Sequence, residues 1–597
     1  MTKRVCMGNE AIALGAARAG VSVVSGYPGT PSTEIIETLL NEKIPGIKVQ
    51  WSTNEKTAME VAAGAAYAGA RSMVTMKQVG LNVAADPLMG LSYVGVDGGM
   101  VVVVADDPGP WSSQTEQDTR HFAKYANLPV FDPSSPEEAY EMVSSAFDLS
   151  EEFKIPVFLR PTTRVCHASA TVDLDNYPGP RPAAGFEKKS DWIIFPALSY
   201  RKHGELEQNQ KLISDKFSTL SFNRIIKGGK KGIAVSGISY LYAMEVIKEF
   251  NLDLTVFKVG TPYPLPLSLA EEFLSSVDQV MAVEELDPVV EEQLLLVSAG
   301  KNEIFGKMTG DMPCNGEYSF ESIKNTLLKF AGVENADPVM VEIPNLPVRP
   351  PVLCAGCPHR ASFYAAKTAA KNYEKTVYCG DIGCYTLGNA APLNTVDTCL
   401  CMGAGITIAQ GIKLAEKGTK CIAFIGDSTF FHTGIPGIIN AVYQNTDITI
   451  VVLDNHTTAM TGGQPHPGTG RTAMGMSAKP LDIEKMLRAC GVEHISTVDP
   501  FKYEETVDAF NNALEHNGPS AVIAKAPCIA LIKLPVTVRR VNEACIGCLK
   551  CIKQLGCPAM SVGKDGKVVI NESICTDCSL CVKICPVGAI KRVDRNV

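Results

Sequence analysis

FIGDSTFFHTG, residues 424–434, follows the run KCIA and ends an apolar stretch with a glycine, an acid and a hydroxyl in immediate succession. An Asp at the mouth of a strand is ordinarily a helix cap. A second apolar run, ITIVVL at 448–453, ends in Asp454 and Asn455. Two strand ends would then deliver hard oxygen ligands to one place, an arrangement suited to a metal-bridged diphosphate.

The alternation of β-branched runs with Ala-rich helical patterns recurs through most of the chain: VSVVSGYPG before TEIIETLL, then MVVVVADD, then TKCIAFIGD before GIPGIINAVYQ. It predicts an α/β fold of parallel sheets whose functional loops lie beyond the carboxyl ends of the strands. Polar RKHGELEQNQKLISDKFSTLSFNR, from residue 201, and IPNLPVRPPV, 343–352, read as boundaries, and composition changes again near LPVTVRRVNEAC. The expected domains are residues 1–200, 228–340, 350–535 and 538–597. The second block has apolar periodicity without a catalytic constellation and reads as a scaffold.

A length of 597 residues holds roughly three to five domains. The composition, 46% hydrophobic and 20% charged, is that of a globular protein, and a net charge of -9 argues against nucleic acid as partner. No apolar run reaches membrane-spanning length. MTKRVCMGNEAIALGAARAG starts basic, but Asn9, Glu10 and Arg18 interrupt it, so it reads as an amphipathic helix and not a signal peptide. These features point to the cytoplasm.

Of twenty cysteines, eight fall between Cys545 and Cys585, a concentration better explained by metal clusters in a reducing compartment than by disulfides. Cys575, Cys578, Cys581 and Cys585 have the C-x2-C-x2-C-x3-C-P spacing of a bacterial [4Fe-4S] ferredoxin. Cys545, Cys548, Cys551 and Cys557 repeat it with five residues in the last gap. In two-cluster folds the fourth cysteine of each run ligates the other cluster. The expected sets are therefore Cys545, Cys548, Cys551 and Cys585, and Cys557, Cys575, Cys578 and Cys581. Zinc knuckles compete, but two such runs, each followed by Cys-Pro, favour iron.

The paired strand ends resemble the metal motif of thiamin-diphosphate enzymes. That resemblance implies Asp427, the Asn455 amide and the Thr457 carbonyl as Mg2+ ligands, with Gly426 and Ser428 beside the diphosphate and Gly426 letting the backbone approach it. QWSTNEKTAMEVAAGAAYAGARSMVTM, from Gln50, resembles the glutamate helix of the companion pyrimidine-binding domain. Glu55 is the preferred activator of the aminopyrimidine, and Glu60 the competing choice. In domain order the whole chain resembles large subunits of the indolepyruvate branch of the 2-oxoacid:ferredoxin oxidoreductase superfamily.

The resemblance implies two thiamin-diphosphate-type domains, a middle domain like the transketolase C-terminal one, and a two-cluster ferredoxin-type α+β tail. It implies oxidative decarboxylation of 2-oxoacids, with coenzyme A as co-substrate, ferredoxin as acceptor, a smaller β subunit and a dimer of heterodimers. GYPGTPSTEI would set Thr30 against the substrate carboxylate, Arg120 in SSQTEQDTRHFAKY would bind that carboxylate unless it forms a surface salt bridge, and His359 would touch cofactor or substrate. LCAGCPHR and YCGDIGC resemble stretches that hold a further cluster, through Cys354, Cys357 and Cys384. A fourth ligand is not evident, since Cys490 and Cys528 sit in apolar surroundings typical of core cysteines. The competing functions are oxidation of another 2-oxoacid, such as pyruvate, 2-oxoglutarate or a branched-chain acid, and non-oxidative thiamin-dependent decarboxylation.

Overall fold

The computed structural model describes residues 2–334, 344–347 and 349–595, and the chain forms two units, 1–342 and 343–597. In the first unit the β-branched runs form a six-stranded parallel sheet in the order Lys48–Trp51, Val23–Gly26, Ser72–Lys77, Met100–Ala105, Val157–Leu159, Val130–Phe131. Met100–Ala105 is buried at every position, as befits a central strand covered on both faces. Strand order reverses between Val23–Gly26 and Ser72–Lys77, so the crevice beyond their carboxyl ends is the topological switch point.

A second sheet in this unit runs Glu303–Phe305, Gln279–Val283, Lys231–Ser236, Leu254–Val259, Arg224–Ile226, with only the last strand antiparallel. The polar stretch expected as a boundary is largely helical: Pro196–Phe217 buries Leu206, Ile213 and Phe217, a narrow stripe on an otherwise polar helix. The N-terminus also differs from its expectation. Thr2–Met7 is a strand paired antiparallel with Ser169–Leu174, and the helix that follows, Gly8–Arg18, is buried almost all round instead of amphipathic. It packs against both Thr33–Glu42 and Pro136–Phe153, and small residues permit this. A Cβ at Gly15 would lie 2.6 Å from the Tyr140 carbonyl oxygen.

The second unit carries a five-stranded parallel sheet ordered Thr376–Cys379, Lys420–Gly426, Thr449–Asp454, Ser520–Lys525, His494–Val498. The two runs ending in Asp427 and Asn455 are therefore adjacent strands. The cysteine-rich tail is built from two antiparallel pairs, Thr537–Val541 with Ile590–Asp594 and Met560–Val562 with Val568–Ile570, and two short helices, Lys550–Leu555 and Leu580–Ile584. No disulfide links any of the twenty cysteines. Among the described residues no helix is long and apolar enough to cross a membrane.

Candidate active site

In the first unit, the switch-point crevice collects the loop after Val23–Gly26 and the residues that open the helices beside it. The Thr30–Pro31 bond is cis. The loop is pinned by Gly29 N donating to Thr33 Oγ1 at 3.0 Å, Asn9 Nδ2 to the Pro31 carbonyl at 2.6 Å, and Ser112 Oγ to the Thr30 carbonyl at 3.0 Å. Glu55 is the first residue of the helix Glu55–Tyr67, capped by Asn54, whose side chain accepts from Thr57 N at 2.8 Å. The carboxylate of Glu55 is buried against Gly80, where a Cβ would stand 2.6 Å from Oε1. Glu60 is solvated and paired with Lys56 at 2.8 Å, so burial separates the two candidate acids.

Lys77 was not singled out by its sequence context. It ends the strand Ser72–Lys77 on the crevice, lies along Gly29, and donates from Nζ to the Ser112 carbonyl at 3.2 Å. Burial pulls its pKa below that of an ordinary lysine, against the fields of Asp107 and Glu55.

The placement of Arg120 requires a correction. Its guanidinium is fully buried, not a surface group. It donates to Asp118 Oδ1 at 2.9 Å, Glu284 Oε2 at 2.6 Å and the carbonyls of Glu285 and Asp287 at 2.8 and 2.9 Å. An arginine so committed is not offered to a substrate carboxylate. Removing it would strand two buried acids at a cost of about 3–5 kcal/mol, so inactivity of such a variant would report a damaged fold.

In the second unit, Asp427 is buried directly after its strand. It accepts from Ser428 N at 2.9 Å, from Asn455 N at 3.1 Å and from His466 Nε2 at 3.1 Å. Gly468 N donates to His466 Nδ1 at 3.1 Å, which leaves Nε2 to face Asp427 as the donor. Asn455 Nδ2 donates to His359 Nε2 at 3.3 Å, and Asn455 Oδ1 accepts from Thr457 N at 3.1 Å, so the amide orientation is set from both ends. Burial pushes the His359 pKa down to about 4, with Asp427 opposing, and keeps the ring neutral. The Thr457 hydroxyl is buried without a partner among the described residues. Ser428 Oγ accepts from Thr458 Oγ1 at 3.0 Å, and the helix beyond widens into a π turn at Phe430–Gly434. Such a donor set, one carboxylate and a held amide with an orphaned hydroxyl beside them, fits Mg2+.

Gly426 is also needed for a reason that the sequence did not suggest. A Cβ there would meet Cε1 of Tyr385 at 2.6 Å, so the glycine admits that ring before it admits any ligand. His466 was missed altogether. Its only sequence signal is a histidine between two prolines, Pro465 and Pro467, in a loop without periodicity.

In the tail, Cys545, Cys548, Cys551 and Cys585 line one cavity, and Cys557, Cys575, Cys578 and Cys581 line another. The cysteines are thus grouped across the two runs. Burial pushes the Cys581 thiol up to about 12, with Cys578, Cys557 and Cys575 adding to it. Thiols so crowded ionise readily only against a metal. Cys357, the N-cap of the helix Pro358–Ala370, also lines the second of these cavities, and burial pushes its thiol up to about 12 against the backbone N–H groups of His359 and Arg360. Cys384 is acted on most strongly, after burial, by Cys528 and then Cys354. Cys528 therefore belongs with this group and not in an apolar core, whereas Cys490 does pack against a core.

Comparison with known proteins agrees with these halves. Residues 14–184 match the family described as pyruvate flavodoxin/ferredoxin oxidoreductase, thiamine diphosphate-binding, 381–524 the thiamine pyrophosphate enzyme C-terminal TPP-binding domain, and 568–591 the 4Fe-4S binding domain. The chain thus carries thiamin-diphosphate-binding and iron-sulfur domains. A 2-oxoglutarate synthase subunit KorB of Archaeoglobus fulgidus is 32% identical over 30% of this chain and 70% of its own. The indolepyruvate oxidoreductase subunit IorA of Pyrococcus horikoshii is 40% identical over 99% of this chain and 97% of its own. That of Archaeoglobus fulgidus is 42% identical over the same shares of the two chains. Likeness running unbroken from the first sheet through the cysteine tail places this chain in the IorA family of indolepyruvate oxidoreductase subunits.

Proposed function

We propose that this chain is the thiamin-diphosphate-dependent subunit of an enzyme that oxidises arylpyruvates such as indolepyruvate to acyl-CoA and passes the electrons to ferredoxin. The observation that carries the reading is the presence, in one unit, of Asp427 and Asn455 at neighbouring strand ends and of two cysteine-lined cavities, one with Cys545, Cys548, Cys551 and Cys585, the other with Cys557, Cys575, Cys578 and Cys581 and with Cys357 beside them. The full-length likeness to IorA subunits supports the substrate class. One 2-oxoacid anion and one coenzyme A thiol give acyl-CoA, carbon dioxide, one proton and two electrons. Thiamin diphosphate, when bound, supplies the carbon nucleophile and electron sink for this decarboxylation, and the clusters a one-electron exit.

The residues of this chain bind and orient. Asp427, the Asn455 amide oxygen and the Thr457 carbonyl would hold Mg2+, with Gly426 and Ser428 on the adjoining turn beside the diphosphate. His359 and His466 hold the amide and the carboxylate in place. Glu55 would hold and exchange a proton with the aminopyrimidine of bound thiamin diphosphate. Thr30 and Lys77 receive the substrate carboxylate, the part first expected of Arg120. The enzyme works in the cytoplasm with a smaller β subunit, as a dimer of heterodimers.

The test is anaerobic ferredoxin reduction by a panel of 2-oxoacids, with coenzyme A and the small subunit present. Indolepyruvate or phenylpyruvate should exceed pyruvate in kcat/KM, and Lys77→Ala should raise KM about 10-fold or more, the worth of a charge-assisted hydrogen bond. A preference for pyruvate refutes the substrate, and aldehyde release without an acceptor refutes the oxidative reading. Two tail clusters give about 8 irons per chain, and about 12 would indicate a further cluster near Cys354, Cys357 and Cys384.

A further inference from the structure

The helix Pro358–Ala370 begins with two consecutive residues facing different sites. His359 holds Asn455, as described. Arg360 lines the cavity of Cys557, Cys575, Cys578 and Cys581. It is 4% exposed, and among the described residues carbonyls alone receive its bonds: Nη1 donates to Leu555 O and to Gly556 O at 3.0 Å, and Nη2 to Leu353 O at 2.6 Å. Its Nε is buried with no partner among the described residues. Burial lowers the pKa of Arg360, and the groups that oppose this are thiols, Cys557 first, then Cys357, Cys578 and Cys354.

A buried guanidinium is costly unless a negative charge answers it, and here the carbonyls supply only dipoles. Four thiolates around a [4Fe-4S] cluster give it a net negative charge that grows by one on reduction. A cation beside it therefore stabilises the reduced form more than the oxidised one, and an N–H directed to a cluster sulfur acts in the same sense. Arg539, which also lines this cavity, is ion-paired with Asp577, a carboxylate it shares with Arg592.

We propose that Arg360 sets the reduction potential of the cluster held by Cys557, Cys575, Cys578 and Cys581, raising it through a buried charge and an unshared Nε–H. The same side chain fixes the carbonyl end of Lys550–Leu555, immediately before Cys557. Charge and cluster are thereby held together. The reduction adds one electron to the cluster and moves no proton to or from Arg360.

The inference rests on the tail holding two clusters. Iron content and electron paramagnetic resonance of the wild-type holoenzyme test that first, so the two ideas fail separately. Redox titrations followed by resonance are then compared for wild type, Arg360→Lys and Arg360→Gln. In Arg360→Gln the reduced-to-oxidised ratio of one cluster at fixed potential should fall tenfold or more, about 59 mV for one electron. Arg360→Lys keeps the charge but loses the Nε–H, and should fall between wild type and Arg360→Gln. Unchanged midpoints in variants with full iron overturn the proposal. If Arg360→Gln loses iron, Arg360→Lys decides: a cluster threefold or more harder to reduce supports the proposal, and a wild-type midpoint, or loss of iron here too, leaves Arg360 a purely structural role and overturns it.

Discussion

Glu55→Gln should yield a folded, cofactor-loaded protein that turns over about 10²–10⁴-fold more slowly, the range that a positioned acid–base group contributes. Three features isolate the chemistry from the fold. The substitution is isosteric, so the close approach to Gly80 is kept. The helix keeps its Asn54 cap. Losing a negative charge from the first turn costs at most about 1 kcal/mol of helix-dipole energy. Thiamin content and melting temperature should therefore stay near wild type while kcat collapses, because an amide does not exchange the proton that a carboxylate does. Glu60→Gln is the control. Its side chain is half exposed and paired with Lys56, an interaction worth about 0.3–0.5 kcal/mol, so its turnover should be close to normal. A dead Glu60→Gln beside an active Glu55→Gln would reverse the assignment.

The sequence preferred Glu55 to Glu60 by resemblance alone, and the burial that separates the two acids was not legible in it. Both lie on one Ala-rich helix, and only the packing of Gly80 shows which is buried. The strand ends at Asp427 and Asn455 were legible, because hydrophobic runs and the residues that stop them are local features. Arg120 was misread because its partner Glu284 lies 164 residues away in sequence, and no local pattern reports so distant an ion pair. Lys77 was overlooked for a related reason: it becomes a crevice residue only when strand order is known. Cys528 looked like a core cysteine because Ala526, Pro527, Ile529 and Ala530 flank it, yet it lies beyond the strand Ser520–Lys525, where the chain has left the core and meets Cys384. The tail was the most legible part, since a cluster imposes its spacing on the sequence itself.

Asp427→Ala should abolish retention of thiamin diphosphate at limiting Mg2+. The loss should exceed the roughly 10–100-fold typical of an outer-shell partner, because the charged member of a hard-oxygen set is removed. The difficulty is that Asp427 also accepts from Ser428 N, Asn455 N and His466. Alanine leaves these buried donors unanswered at about 1–3 kcal/mol each, enough to disorder the turn. His466→Ala separates the two effects. It leaves the carboxylate and both backbone bonds in place and removes only the ring that orients one oxygen, so it should weaken Mg2+ affinity about 10–100-fold with the fold intact. Equilibrium dialysis of thiamin diphosphate across a Mg2+ series, with melting temperatures measured alongside, reads both variants. The expected pattern is graded: wild type loads at low Mg2+, His466→Ala loads when Mg2+ is raised, and Asp427→Ala stays empty throughout. Wild-type occupancy of Asp427→Ala at limiting Mg2+ would remove Asp427 from the metal site, and with it the reading of the two strand ends as the anchor of the diphosphate.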